Sequence, residues 1–212
     1  MSFFDAIITI LQYSSIFILL CGCIILSAAK SKKWNIILLI TILLCFEFTT
    51  LIISFVNDLE PNILLIIFGQ FFSLFFLSHI YCKEILAINF KWFLVFATTA
   101  FLLLIFNAFY YTNLNDIQFY SDIIGCLIII ILSSLYFYSI IWKSNYNATY
   151  FWFNCIVFLF FSVEVIIKLT FNFLINGHLN WVGPIWIFRG VLLQIFYLLL
   201  IYYGWKTGKN KR

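Results

Sequence analysis

The chain has 212 residues, 65% of them hydrophobic and 9% charged, with a formal net charge of +4 and a mean hydropathy of +1.11. A soluble domain carries about 25% charged residues. The composition is that of an integral membrane protein, and the apolar runs leave no stretch for a soluble catalytic, nucleic-acid-binding or extracellular domain. The basic excess lies in short connectors and the C-terminal tail, so it is a topology signal rather than an affinity for nucleic acid.

A helix that spans a bilayer needs about 20 apolar residues. Seven such runs follow one another, over 6–28, 35–56, 62–82, 91–111, 121–142, 150–175 and 181–205. The expected fold is an all-α membrane protein, with residues 1–212 forming a single seven-helix transmembrane domain. The first run has no basic leader and no small-residue cleavage site, and is expected to be a retained helix. Lys30-Ser31-Lys32-Lys33 follows it. Asn57-Asp58-Leu59-Glu60-Pro61-Asn62 follows the second, with Pro61 at a helix start, where proline is tolerated. Asn176-Gly177-His178-Leu179-Asn180 divides the sixth run from the seventh, and Pro184 is expected in the first turn of the seventh.

Connectors one, three and five and the C-terminus share one side, which gathers Lys30, Lys32, Lys33, Lys83, Lys91, Lys143, Lys206, Lys209, Lys211 and Arg212. The other side gathers Asp5, Asp58, Glu60, Asp116 and Asp122 and no Lys or Arg. The positive-inside rule gives an outside N-terminus and a cytoplasmic C-terminus. The tail from Lys206 to Arg212 fits a stop-transfer signal that contacts anionic lipid. Trp34, Trp92, Trp142, Trp181 and Trp205 stand near span ends, where aromatic anchors belong. The abundance of Phe, Ile, Asn and Lys suggests an AT-rich bacterial genome and hence a plasma (inner) membrane protein. Asn147-Ala148-Thr149 matches a glycosylation acceptor but falls on the cytoplasmic side, so the match is read as chance.

Spans 1–3 and 5–7 share a loose pattern. Ser14-Ser15 matches Ser133-Ser134, Glu47 matches Glu164, and Gln70 matches Gln194. Both triplets would start outside, giving a 3+1+3 parallel repeat with the fourth span as linker, as occurs in transporters. Chance alignment of Phe/Ile/Leu-rich stretches is the competing explanation.

Six cysteines (Cys21, Cys23, Cys45, Cys82, Cys126 and Cys155) lie in or at the ends of apolar runs and read as small buried hydrophobes. No metal or cofactor site is expected. His-Glu-x-x-His, Gly-x-Ser-x-Gly and phosphate-loop motifs are absent from the sequence. A retinal Schiff base would need a lysine well inside the seventh span, which holds none before Lys206.

The informative residues are the ionisable ones inside the spans: Glu47, Glu164, Lys168 and Arg189. A charge in hydrocarbon costs about 2.5–3.5 kcal/mol on insertion scales and persists where it is paired, hydrated or functional. Counted inward from the outer ends, Glu47, Gln70, Glu164, Lys168 and Arg189 lie roughly 10–17 Å deep at 1.5 Å per residue, with Tyr13 of the first span in reach of the same level. Lys168 is expected to pair with Glu164, four residues before it, and Arg189 with Glu47. One reading is an ion-pair network that orders the helices. The other is an outward-opening pocket for a small anionic or zwitterionic ligand, formed by Glu47, Gln70, Glu164, Lys168, Arg189 and Tyr13, with Arg189 as an anion clamp. His79 has a weaker case as a proton relay.

Cys45-Phe46-Glu47-Phe48, the run from Ile128 to Tyr138 and the entry Tyr150-Phe151-Trp152-Phe153 resemble a family of small bacterial seven-helix integral membrane proteins. The resemblance implies a topology and no chemistry. The layout is also similar to that of seven-helix sugar and vitamin carriers, without their signature residues. The expected function is a sensory or accessory membrane module, with membrane lipids and a membrane or cytoplasmic signalling protein as partners. The alternatives are a small-solute transporter and an intramembrane lipid-modifying enzyme with Glu47 or Glu164 as acid or base.

Overall fold

The computed structural model describes residues 3–28, 33–56, 63–109, 114–143 and 146–209. Lys30, Lys32, Asp58, Glu60, Pro61, Lys211 and Arg212 lie outside the described residues, as do the side chains of Asp5, Asp116, Lys143 and Lys209. The helices are α1 (Phe3–Ala28), α2 (Trp34–Val56), α3 (Ile63–Ile80), α4 (Phe90–Phe109), α5 (Leu114–Lys143), α6 (Ala148–Gly177) and α7 (Leu179–Lys209). A π-helical turn, Tyr81–Ile85, continues α3. Among the described residues six helices (α1, α2 and α4–α7) are long and apolar enough to cross a membrane. The chain is a multi-pass, all-helical membrane protein.

Helices suit this sequence because lipid offers backbone groups no hydrogen-bond partners, and an α-helix satisfies them internally. Hydroxyls obey the same rule. Thr41, Thr49, Thr50, Thr99, Ser134 and Thr170 each donate to the carbonyl four residues earlier. These hydroxyls are satisfied within their own helices, and Thr41 Oγ1 also lies 3.7 Å from Cys23 Sγ of α1.

The chain divides into two compact units: Met1–Pro61 with Val163–Arg212, and Asn62–Ser162. In the first, α1 packs against α7 and α2. The α1–α7 contact is a glycine seam in constant register. A Cβ added at Gly183 would meet Phe4 Cγ at 2.9 Å, one at Gly190 would meet Leu11 Cδ1 at 3.0 Å, and one at Gly22 would meet Ile201 Cδ1 at 2.5 Å. Each pair is separated by the same 179 positions, so α1 and α7 run parallel. Small residues allow this approach where no hydrophobic effect drives helices together. Gln194 Nε2 adds a bond to the Leu11 carbonyl (3.1 Å) and one to Ser14 Oγ.

In the second unit, α3 packs against α4 and α5. Asn89 caps α4, its Oδ1 accepting from the Lys91 N–H at 3.2 Å. Asn147 caps α6 through the N–H groups of Thr149 and Tyr150 (3.0 and 3.3 Å). The Asn147-Ala148-Thr149 triplet is therefore a helix start. The π-turn closes through Leu86 N–H to the Tyr81 carbonyl at 2.8 Å and Ile88 N–H to the Cys82 carbonyl at 2.9 Å, with Ala87 at φ 48°.

Two expectations need correction. The seventh helix begins at Leu179, directly after His178, so Pro184 stands in its second turn rather than its first. The fifth begins at Leu114, before the apolar run, because Asn115, Asp116 and Gln118 are polar yet helical. All six cysteines are free thiols.

Candidate functional site

Four of the residues singled out by sequence lie in the first unit. Glu164 and Lys168 come from the second part of α6, Arg189 from α7 and Glu47 from α2. Glu164 is buried, its side chain 7% exposed, whereas Arg189 and Lys168 keep 31% and 23% of theirs exposed. Arg189 Nε lies 2.5 Å from Glu164 Oε1, and Lys168 Nζ lies 4.0 Å from Glu164 Oε2. The Arg189 contact is an ion pair without an aligned N–H, since Glu164 Oε1 accepts no hydrogen bond from the described residues. Arg189 also stacks over Trp186, its guanidinium carbon 5.0 Å from the ring centroid. Indole is the best aromatic partner for a cation.

Glu47 is held differently. The Tyr197 hydroxyl donates to Glu47 Oε1 at 2.7 Å. Arg189 acts on Glu47 through space, and Tyr197 is within electrostatic reach of Glu47, Arg189 and Glu164. Arg189 thus pairs directly with Glu164, and the expected Arg189–Glu47 pair is a longer-range interaction. Trp186 and Tyr197 stand eleven positions apart on α7, about 16 Å of axis, with Arg189 between them.

Signs alternate through the cluster: Lys168, Glu164, Arg189, Glu47. Two acids and two bases leave it formally neutral. Buried charge in a low-dielectric setting is tolerated when it is paired in this way.

Gln70 belongs to the second unit. Its carboxamide lies against Gly125, where an added Cβ would meet Nε2 at 2.8 Å. Tyr13, on α1, is 47% exposed and bonds to no described residue. Neither is brought to Arg189 by a contact within the first unit. Sequence reasoning missed Tyr197 and Trp186, which carry no charge and are two among 12 tyrosines and 7 tryptophans.

No protein-family model, curated protein or solved structure matches this chain. Among the described residues no group of three or more His, Cys, Asp or Glu could hold a metal ion.

The second unit has a polar cluster of another kind. Asn154 Oδ1 accepts from Tyr81 Oη at 2.6 Å and from Ser133 Oγ at 2.8 Å, and Asn154 Nδ2 donates to the Ser133 carbonyl at 3.2 Å. Tyr81, Ser133 and Asn154 are all fully buried. This cluster is uncharged and closed. It ties the π-turn, α5 and the start of α6 together and offers nothing to a ligand.

Proposed function

We propose that the charged cluster of the first unit is a small-ligand site in a seven-span membrane protein that works as a sensory or accessory module. The observation that carries this reading is the division of exposure. The shared acid, Glu164, is buried, while both cations keep part of their surface. That division leaves cationic surface that a ligand can reach. The Arg189 fork meets Glu164 through Nε, and its two terminal amino groups donate to no described residue. That edge suits bidentate recognition of a carboxylate or phosphate.

The parallel α1–α7 register supports seven crossings. Two helices of an up-and-down chain run the same way only when an odd number of crossings separates them, so α3 counts as a span beside the six long ones. The lysine distribution then favours an outside N-terminus and a cytoplasmic C-terminus, in a bacterial inner membrane, with the cluster in its outer half. The 3+1+3 repeat is the feature that favours the transporter reading.

Two experiments test the proposal. Purified protein should gain thermal stability from a ligand in a panel of small anions, zwitterions and lipids, and Arg189→Gln should lose that gain. In sealed vesicles the same ligand should not be carried. Flux that Arg189→Gln abolishes would replace the sensory reading with the transporter one.

A further inference from the structure

The balance of charge in the cluster specifies the class of ligand. This step rests on the binding-site reading above. We infer that the site takes a zwitterion, with its anionic carboxylate or phosphate on Arg189 and Lys168 and its ammonium on Glu47.

Neutrality comes first. Two acids and two bases already balance, and an ion of one sign added inside the membrane would leave an uncompensated charge, which low-dielectric surroundings penalise heavily. A ligand that carries both signs adds none. Exposure then assigns the ends. Glu164 is buried and engaged by both cations, so it cannot receive an ammonium group. Glu47 is half-buried, and Tyr197 donates only to Oε1. Its Oε2 has no hydrogen-bond partner among the described residues. The partly exposed cations take the anionic end. The indole of Trp186 under Arg189 holds the guanidinium plane without using its donors. Sources of such a zwitterion are a free amino acid and a phosphoethanolamine lipid headgroup.

The test measures ligand-induced thermal shifts of the full chain in detergent. The probes are glycine, acetate, phosphate and ethylammonium, with short-chain phosphatidylethanolamine and phosphatidylglycerol as lipids. Wild type is expected to bind glycine or phosphatidylethanolamine at least about tenfold more tightly than acetate, phosphate, ethylammonium or phosphatidylglycerol. A response to glycine identifies a free solute, and a response to phosphatidylethanolamine alone identifies a headgroup. Glu47→Gln keeps an acceptor for Tyr197 but gives the cluster a net positive charge. It is expected to lose the zwitterion response and to gain one to acetate or phosphate. Arg189→Gln should move preference toward ethylammonium, and serves if Glu47→Gln does not fold. A wild type that binds acetate or phosphate as tightly as the zwitterions overturns the inference and leaves the binding site standing. A wild type that none of the probes stabilises overturns both.

Discussion

The two best-connected polar clusters, one in each unit, are built in opposite ways. In the second, Asn154, Ser133 and Tyr81 are uncharged, fully buried and bonded to one another. In the first, Glu47, Glu164, Lys168 and Arg189 are charged, and three of the four stay partly exposed. A closed neutral knot fixes helix positions. An open charged one holds fixed charges where another molecule can reach them. Burial separates the two clusters, and it is the property that substitutions can probe.

The largest effect on stability is expected from Asn154→Leu, which removes the side-chain acceptor of the buried Tyr81 and Ser133 hydroxyls and the donor to the Ser133 carbonyl, leaving Ser133 Oγ its bond to the residue-154 backbone carbonyl. Buried unmet hydrogen bonds cost about 1–3 kcal/mol each, less where membrane partners can be exchanged. A loss of about 3 kcal/mol is expected, read as a lowered unfolding midpoint in mild detergent, with ligand response unchanged in the fraction still folded. Glu164→Gln comes next, at about 2 kcal/mol. That is below the full penalty for breaking a buried pair because Arg189 is partly exposed. Adding Arg189→Gln should restore more than half of that loss, and a double-mutant cycle measures the recovery. If Glu164→Gln were the more damaging of the two single changes, the contrast between the units would collapse.

The two tyrosines make a matched pair. Tyr81→Phe removes a 2.6 Å bond from the closed cluster, and Tyr197→Phe removes a 2.7 Å bond from the open one. Tyr81→Phe should cost about 1–2 kcal/mol and leave ligand affinity alone. Tyr197→Phe should cost less than about 1 kcal/mol and change ligand affinity severalfold, because it resets the orientation of Glu47. Titrating both variants with the same ligand separates the two outcomes. The smallest effect is expected at Tyr13, exposed and unbonded to the described residues, where Tyr13→Phe should leave both stability and binding within error.

The helices are legible in the sequence because apolar length is a strong signal, and Glu47, Glu164, Lys168 and Arg189 stand out because the other charges of those runs, Lys91 and Asp122, stand at their ends. Partnership was not legible. Glu47 and Glu164 are equally visible as candidates for Arg189, and only three-dimensional packing shows that Tyr197 holds one while Arg189 meets the other. Depth carries no azimuth, so the sequence gives Gln70 and Arg189 a shared level without saying what each faces; Gln70 lies against Gly125 in the second unit. Asn154 was readable and passed over: an amide between Phe153 and Cys155 in an otherwise apolar stretch requires a partner. The glycines of α7 gave a weaker hint. Gly183 and Gly190 stand seven apart, as do Phe4 and Leu11, and the shared spacing becomes a register only once the parallel pairing is known.

The most direct measurement compares thermal unfolding of wild type, Asn154→Leu and Arg189→Gln side by side, each with and without the zwitterion and anion panel. The expected result is that Arg189→Gln stays folded and loses the ligand-induced shift, while Asn154→Leu melts lower and keeps it. An Arg189→Gln protein that fails to fold, beside a wild type that no probe shifts, would contradict the distinction and make both clusters structural.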